Sequence, residues 1–162
     1  MVSIAREPIK KLLGYAVRAE IDSRNVYTKL SSRVKNPLLK EKFQILAFEE
    51  KKHKDVLENL FDALYHGDKL QVPASVDQRL LPSVHVKPSS GLVEILRQAM
   101  AAETSAQKFY ASLAKRVRQT KKKVLEYLSK VEKSHFLMLQ SEYTLALQFE
   151  DYAEKDIDKV IT

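Results

Sequence analysis

The 162-residue sequence has no cysteine and no tryptophan, three glycines, and no continuous apolar run of membrane-spanning length. Each absence excludes something. Without cysteine there is no disulfide, thiol nucleophile or iron–sulfur ligation, so any bound metal is held by oxygen and nitrogen. Without a long apolar run there is no transmembrane helix. The first residues, Met-Val-Ser-Ile-Ala-Arg-Glu-Pro, lack the apolar stretch of a secretory signal, so a cytoplasmic protein is the expectation. Negative charge is in deficit, with 21 Asp and Glu against 28 Lys and Arg, leaving +7. The basic residues are scattered, however, and Lys121-Lys122-Lys123 is their one tight cluster. That pattern reads as a solvated basic surface, and nucleic acid is not an expected partner.

What the chain has in quantity is Leu, Ala, Lys and Glu, with apolar residues at helical spacing. One all-α domain spanning 1–162 is expected. Helix 1 should run over 8–34, with Pro8 at its first position and Ile9, Leu12, Leu13, Ala16, Ala19, Val26, Leu30 and Val34 forming the buried stripe. Asn36-Pro37 reads as an N-cap followed by a first-turn proline, so helix 2 should return antiparallel and reach His66. Gly67 suits the position past its end, with His66 on the helix's negative end. From 68 to 89, Pro73, Pro82 and Pro88 forbid a continuous helix, and the stretch is long enough to cross a bundle from end to end. Its His85 reads as structural or exposed. A second hairpin should fill 90–149, with helix 3 ending near Val117 and helix 4 starting at a Thr120 cap. The tail 150–162 carries Tyr152, Ile157, Val160 and Ile161. It could pack as a short helix or reach a second subunit, and a homodimer is expected.

The two hairpins are one pattern written twice. At an offset of 83, Ala16, Ala19, Glu20, Tyr27, Leu30 and Val34 fall on Ala99, Ala102, Glu103, Tyr110, Leu113 and Val117. At an offset of 82, Phe43, Leu46, Glu50, His53 and Leu57 fall on Leu125, Leu128, Glu132, His135 and Leu139. Glu50 and His53 leave one helix face a turn apart, among leucines, and Glu132 and His135 do the same. A carboxylate and an imidazole aimed into an apolar interior need a partner, and a cation suits both.

If the crossover brings helix 3 parallel to helix 2, a pseudo-two-fold axis relates the halves. Glu20, Glu50, His53, Glu103, Glu132 and His135 then meet at mid-bundle as ligands of two divalent ions. An oxygen-rich set with one imidazole per ion suits iron, manganese or a mixed pair better than tetrahedral zinc. Glu50 and Glu132 are expected to bridge, with Glu20 and Glu103 terminal. Tyr27 and Tyr110 lie two turns beyond a ligand glutamate and are candidates for hydrogen bonds to the ligand carboxylates or simply for core packing. Met100 and Met138 read as packing residues.

The order Glu20, Glu50-x-x-His53, Glu103, Glu132-x-x-His135 resembles the ferritin-like di-iron carboxylate proteins, and within them the rubrerythrin group. Glu20-Ile-Asp-Ser-Arg-Asn-Val-Tyr27 and Glu103-x6-Tyr110 support the narrower likeness. The resemblance implies a ferritin-like four-helix bundle holding two iron ions. It implies reduction of hydrogen peroxide or dioxygen, with ferroxidase or iron storage, and then di-iron hydroxylation, as alternatives. Rubrerythrins usually carry a cysteine-ligated iron in a rubredoxin domain. The absence of cysteine here therefore assigns electron supply to an external donor, such as a rubredoxin-type protein. One turn after the helix-3 glutamate that group has a further carboxylate that exchanges with a His ligand. This chain has Ala106 there, which makes its site more symmetric. A metal-free interaction module is the remaining alternative.

Overall fold

In the computed structural model, residues 4–149 are described. They form four helices: α1 (Ile9–Arg33), α2 (Pro37–Leu64), α3 (Leu92–Ala114) and α4 (Gln119–Gln148). No strand occurs among the described residues. None of these helices is long and apolar enough to cross a membrane. The expectations for the tail fall on 150–162, outside the described residues.

The first hairpin turns as its sequence directs. Asn36 Oδ1 accepts from the backbone N–H groups of Leu38 and Leu39 at 2.9 and 3.2 Å, and Pro37 opens α2. Gly67 takes a positive φ of 85° just beyond α2, which only glycine adopts without strain. The second hairpin departs from expectation. α3 stops at Ala114 rather than near Val117, because the N–H groups of Lys115 and Arg116 bond back to Ser112 and Leu113 in tight turns. α4 starts at Gln119, behind Arg118, with no side-chain cap, so Thr120 lies inside the helix. This loop lacks an Asn-Pro pair and glycine, and Gln119 itself takes a positive φ of 26° to reverse the chain. Pro8 is the N-cap of α1 rather than its first helical residue, and Gly91 takes the same place before α3.

α1 packs along α2 and α3 along α4, and the pairs meet in two apolar clusters. One joins Leu12, Leu13 and Val17 of α1 to Phe61 of α2, Leu113 of α3 and Leu125 of α4. The other joins Leu30 of α1 to Phe43 of α2, Ile95 of α3 and Leu139 of α4. The start of α1 thus lies with the ends of α2 and α3, which makes α3 parallel to α2. Each fully buried Leu or Phe contributes roughly 1.5–3 kcal/mol, so both ends of the bundle are held by apolar burial. Its middle is polar.

The crossover runs along α1. Near its start the Gln71 carbonyl lies so close to Gly14 that a Cβ there would stand 2.1 Å from the oxygen. Val76 and Leu81 join the first cluster, and Val84 and Val86 pack on the second. At the far end the buried Arg33 guanidinium donates to the carbonyls of Lys87 and Pro88, at 3.3 and 3.1 Å.

Candidate metal centre

Between the two clusters the structure brings together all six residues singled out from the repeat. Glu20, Glu50, His53, Glu103, Glu132 and His135 are each at most 4% exposed. They divide into two overlapping sets, Glu20–Glu50–His53–Glu132 and Glu50–Glu103–Glu132–His135, with one ligand atom per residue and all within 4.8 Å of one another in each set. Glu50 and Glu132 belong to both. Their place in the sequence explains this: as the first residue of each Glu-x-x-His they sit one turn from the imidazole, at the point where α2 and α4 face each other.

His53 Nδ1 lies 2.9 Å from Glu132 Oε1, 3.4 Å from Glu50 Oε2 and 3.8 Å from Glu20 Oε2. His135 Nδ1 lies 3.1 Å from Glu50 Oε1, 3.2 Å from Glu132 Oε2 and 3.5 Å from Glu103 Oε2. The two rings stack with centroids 5.4 Å apart. Despite these short distances, Glu50 Oε1, both Glu132 oxygens and both Nδ1 atoms are buried without a hydrogen-bond partner. They point at common centres rather than at one another. Buried polar atoms left in that way are costly unless a cation satisfies them, so the donor set fits a pair of metal ions.

Burial and neighbouring charge shift all six groups away from their ordinary values. Burial, with the Glu50 charge second, raises Glu20 well above the ordinary carboxylate range. Burial does the same to Glu103, helped by Glu50 and Glu132. Burial also opposes ionisation of Glu50, but the adjoining Glu20, His135 and His53 outweigh it and hold Glu50 below its usual value. Glu132 is lowered too: burial and Glu50 raise it, and the imidazoles and Glu103 prevail. Burial disfavours charge on His53, yet Glu132, Glu20 and Glu50 push it up to about 12. His135 is raised further, by Glu103, Glu132 and Glu50 against burial. In the absence of a cation, burial and close neighbours thus favour the neutral acid at Glu20 and Glu103, the carboxylate at Glu50 and Glu132, and the charged ring at His53 and His135.

Tyr27 and Tyr110 are fully buried, and each donates its hydroxyl to a site glutamate of the opposite hairpin: Tyr27 to Glu103 Oε1, Tyr110 to Glu20 Oε1. Burial, with the partner carboxylate next, raises both hydroxyls well above the ordinary phenol range. They face the other half's glutamate, rather than the one on their own helix, because α1 and α3 run antiparallel. His66 and His85 are exposed and outside the cluster, and Met100 and Met138 pack on the second apolar cluster.

Two features escaped the sequence reading. Glu49, beside Glu50, reaches across to His135 and accepts at Oε2 from Nε2 at 2.6 Å. The doubled acid was the only signal. The crossover also roofs the centre: Val76, Leu81, Pro82, Ser83 and Val84 close a cavity of about 30 Å³ lined by Ala19, Ala102, Ala106 and all four site glutamates.

The Rubrerythrin family pattern matches residues 11–143. Among solved structures, a hypothetical protein from Pyrococcus furiosus is 31% identical with a TM-score of 0.79, over 92% of this chain and 98% of that one. A protein described as ferritin-like diiron-carboxylate from Thermotoga maritima is 19% identical with a TM-score of 0.69, over 85% and 95% of the two chains. CopM in its Cu(II)-bound form shares the fold at 8% identity and a TM-score of 0.69, over 84% and 95%. None of the curated proteins matches. The bundle is of the ferritin-like kind, its buried glutamates and histidines are compatible with a di-metal site, and by the match over most of its length the chain belongs to the rubrerythrin family.

Proposed function

We propose that the protein is a di-iron oxidoreductase that reduces hydrogen peroxide or dioxygen with electrons from an external donor. The observation that carries this reading is the pair of overlapping four-residue sets sharing Glu50 and Glu132, with their inward atoms otherwise unsatisfied. Glu20 and His53 would complete one ion's ligands, and Glu103 and His135 the other's. When bound, the ions supply the paired electrons that, with two protons, convert a peroxide to two waters. The chain supplies the rest. Tyr27 and Tyr110 keep their phenolic protons at neutral pH and hold the terminal carboxylates in place through Glu103 Oε1 and Glu20 Oε1. Val76, Leu81 and Val84 of the crossover lie over the centre, whose six side chains are at most 4% exposed. The cavity of about 30 Å³ has room on the scale of a water molecule, which favours a small oxidant over a bulky organic substrate.

The test is to load the metal-free protein anaerobically with ferrous iron and mix it with peroxide or with air-saturated buffer. Binding of about two ions per chain, with reoxidation much faster by peroxide than by air, is the expected result. Equal rates, or no reoxidation, would overturn peroxide reduction. Uptake of many irons per chain in air would make the protein an iron store instead.

A further inference from the structure

The internal repeat is faithful at all six candidate ligands but fails at the residue beside one of them. Glu49 precedes Glu50, and the offset of 82 places Val131 before Glu132. This break has a structural consequence. The Glu49 side chain leaves α2 about 100° around from Glu50, on the side facing α4. There its Oε2 accepts from His135 Nε2 at 2.6 Å. Lys42, two turns earlier on the same side of α2, pairs with Glu142 of α4, a second polar tie between the two helices beside this contact. The equivalent position behind His53 belongs to Val131. Among the described residues, the carboxylates within ion-pair distance of His53 are Glu20, Glu50 and Glu132, all at Nδ1.

A carboxylate on the outer nitrogen of a ligating imidazole fixes the tautomer, holds the ring and makes the inner nitrogen a better donor. His135 has that support and His53 has none of this kind. We infer that the two metal positions are unequal: Glu49 is a positioning residue that makes the Glu103–His135 position fill first, ahead of the Glu20–His53 position. The inference rests on the metal-binding reading above and adds an order of filling to it.

The probe is manganous ion added anaerobically to the metal-free full-length protein, followed by electron paramagnetic resonance. At one ion per chain the spectrum should be that of isolated Mn(II), converting to an exchange-coupled pair with the second addition. Anomalous diffraction from crystals at one ion per chain should place that ion between Glu103 and His135. In Glu49→Ala, the first binding step should weaken by about 10–100-fold and the preference for that position should vanish. Because Glu49 is part-exposed, the substitution leaves the core intact. Val131→Glu is the converse variant: it offers His53 the same support and should bring the two positions towards equal filling in an otherwise unchanged chain. Statistical filling of the native protein, first occupation beside His53, or no effect of Glu49→Ala on the order would each overturn the inference while leaving two bound ions. Failure to bind manganese or iron at all would instead remove the metal-binding reading itself.

Discussion

Tyr27 shows what a single hydroxyl does in this interior. It is 1% exposed and ties α1 to Glu103 of α3, so it acts across the hairpins as well as filling the core. Removing only that oxygen leaves Glu103 Oε1 without its donor. Tyr27→Phe is therefore expected to lower the unfolding free energy of the metal-free protein by about 1–3 kcal/mol, the cost of a buried polar atom left unpaired. Chemical denaturation would show this as a lower midpoint at unchanged slope. An unchanged midpoint would mean that the ring, not the hydroxyl, is what the fold needs. Tyr110→Phe should behave alike, since it makes the matching bond to Glu20.

Among the elements, the crossover decides most. It connects the hairpins, sets their relative direction and covers the centre. Gly14 is where it is pressed onto α1, with Gln71 backbone atoms 2.1 and 3.2 Å from a would-be Cβ. Two effects of Gly14→Ala compete. Alanine favours a helix interior by about 1 kcal/mol over glycine. Overpacking against backbone costs about 1–3 kcal/mol, and a carbonyl cannot swing aside as a flexible side chain would. The clash should win. Gly14→Ala is expected to destabilise the protein, and to speed loss of bound metal to a chelator because the displaced strap includes the roof residues Val76 and Leu81. A variant as stable and as slow to release metal as the parent would show that the crossover shifts freely.

For the whole molecule, the balance of protons gives a pH signature. Glu20, Glu103, His53 and His135 all hold protons more tightly than their ordinary values of 4.5 and 6.5, and Glu50 and Glu132 hold theirs less tightly. Below pH 4.5 the unfolded chain takes up the protons that native Glu50 and Glu132 refuse, so stability rises with pH there. Above 4.5 the native state keeps protons on Glu20 and Glu103 that the unfolded chain releases, and above 6.5 the histidines add to this. Stability of the metal-free protein should thus be greatest near pH 4.5 and decline through neutrality, which thermal unfolding across pH would reveal. Metal loading reverses the trend. Divalent ions bound there would displace protons held at the site, so loading near pH 7 should release protons, readable in unbuffered solution. Release of none would mean that the site is already deprotonated.

The sequence by itself determined the four helices, the hairpin repeat and the six residues at its centre. Those features follow from local spacing: Glu50 and His53 share a helix face whatever surrounds them, and Asn36-Pro37 turns the chain without help. The finer edges of the second hairpin were less legible, because the loop before Gln119 has no residue that dictates a turn. Tertiary structure alone decided the contacts between residues far apart in the chain. Tyr27 meets Glu103 rather than Glu20, Glu49 supports His135, and the crossover lies on Gly14 and over the cavity. Helical periodicity fixes the direction in which a side chain leaves its own axis, but which axis it then meets depends on how the hairpins are laid together.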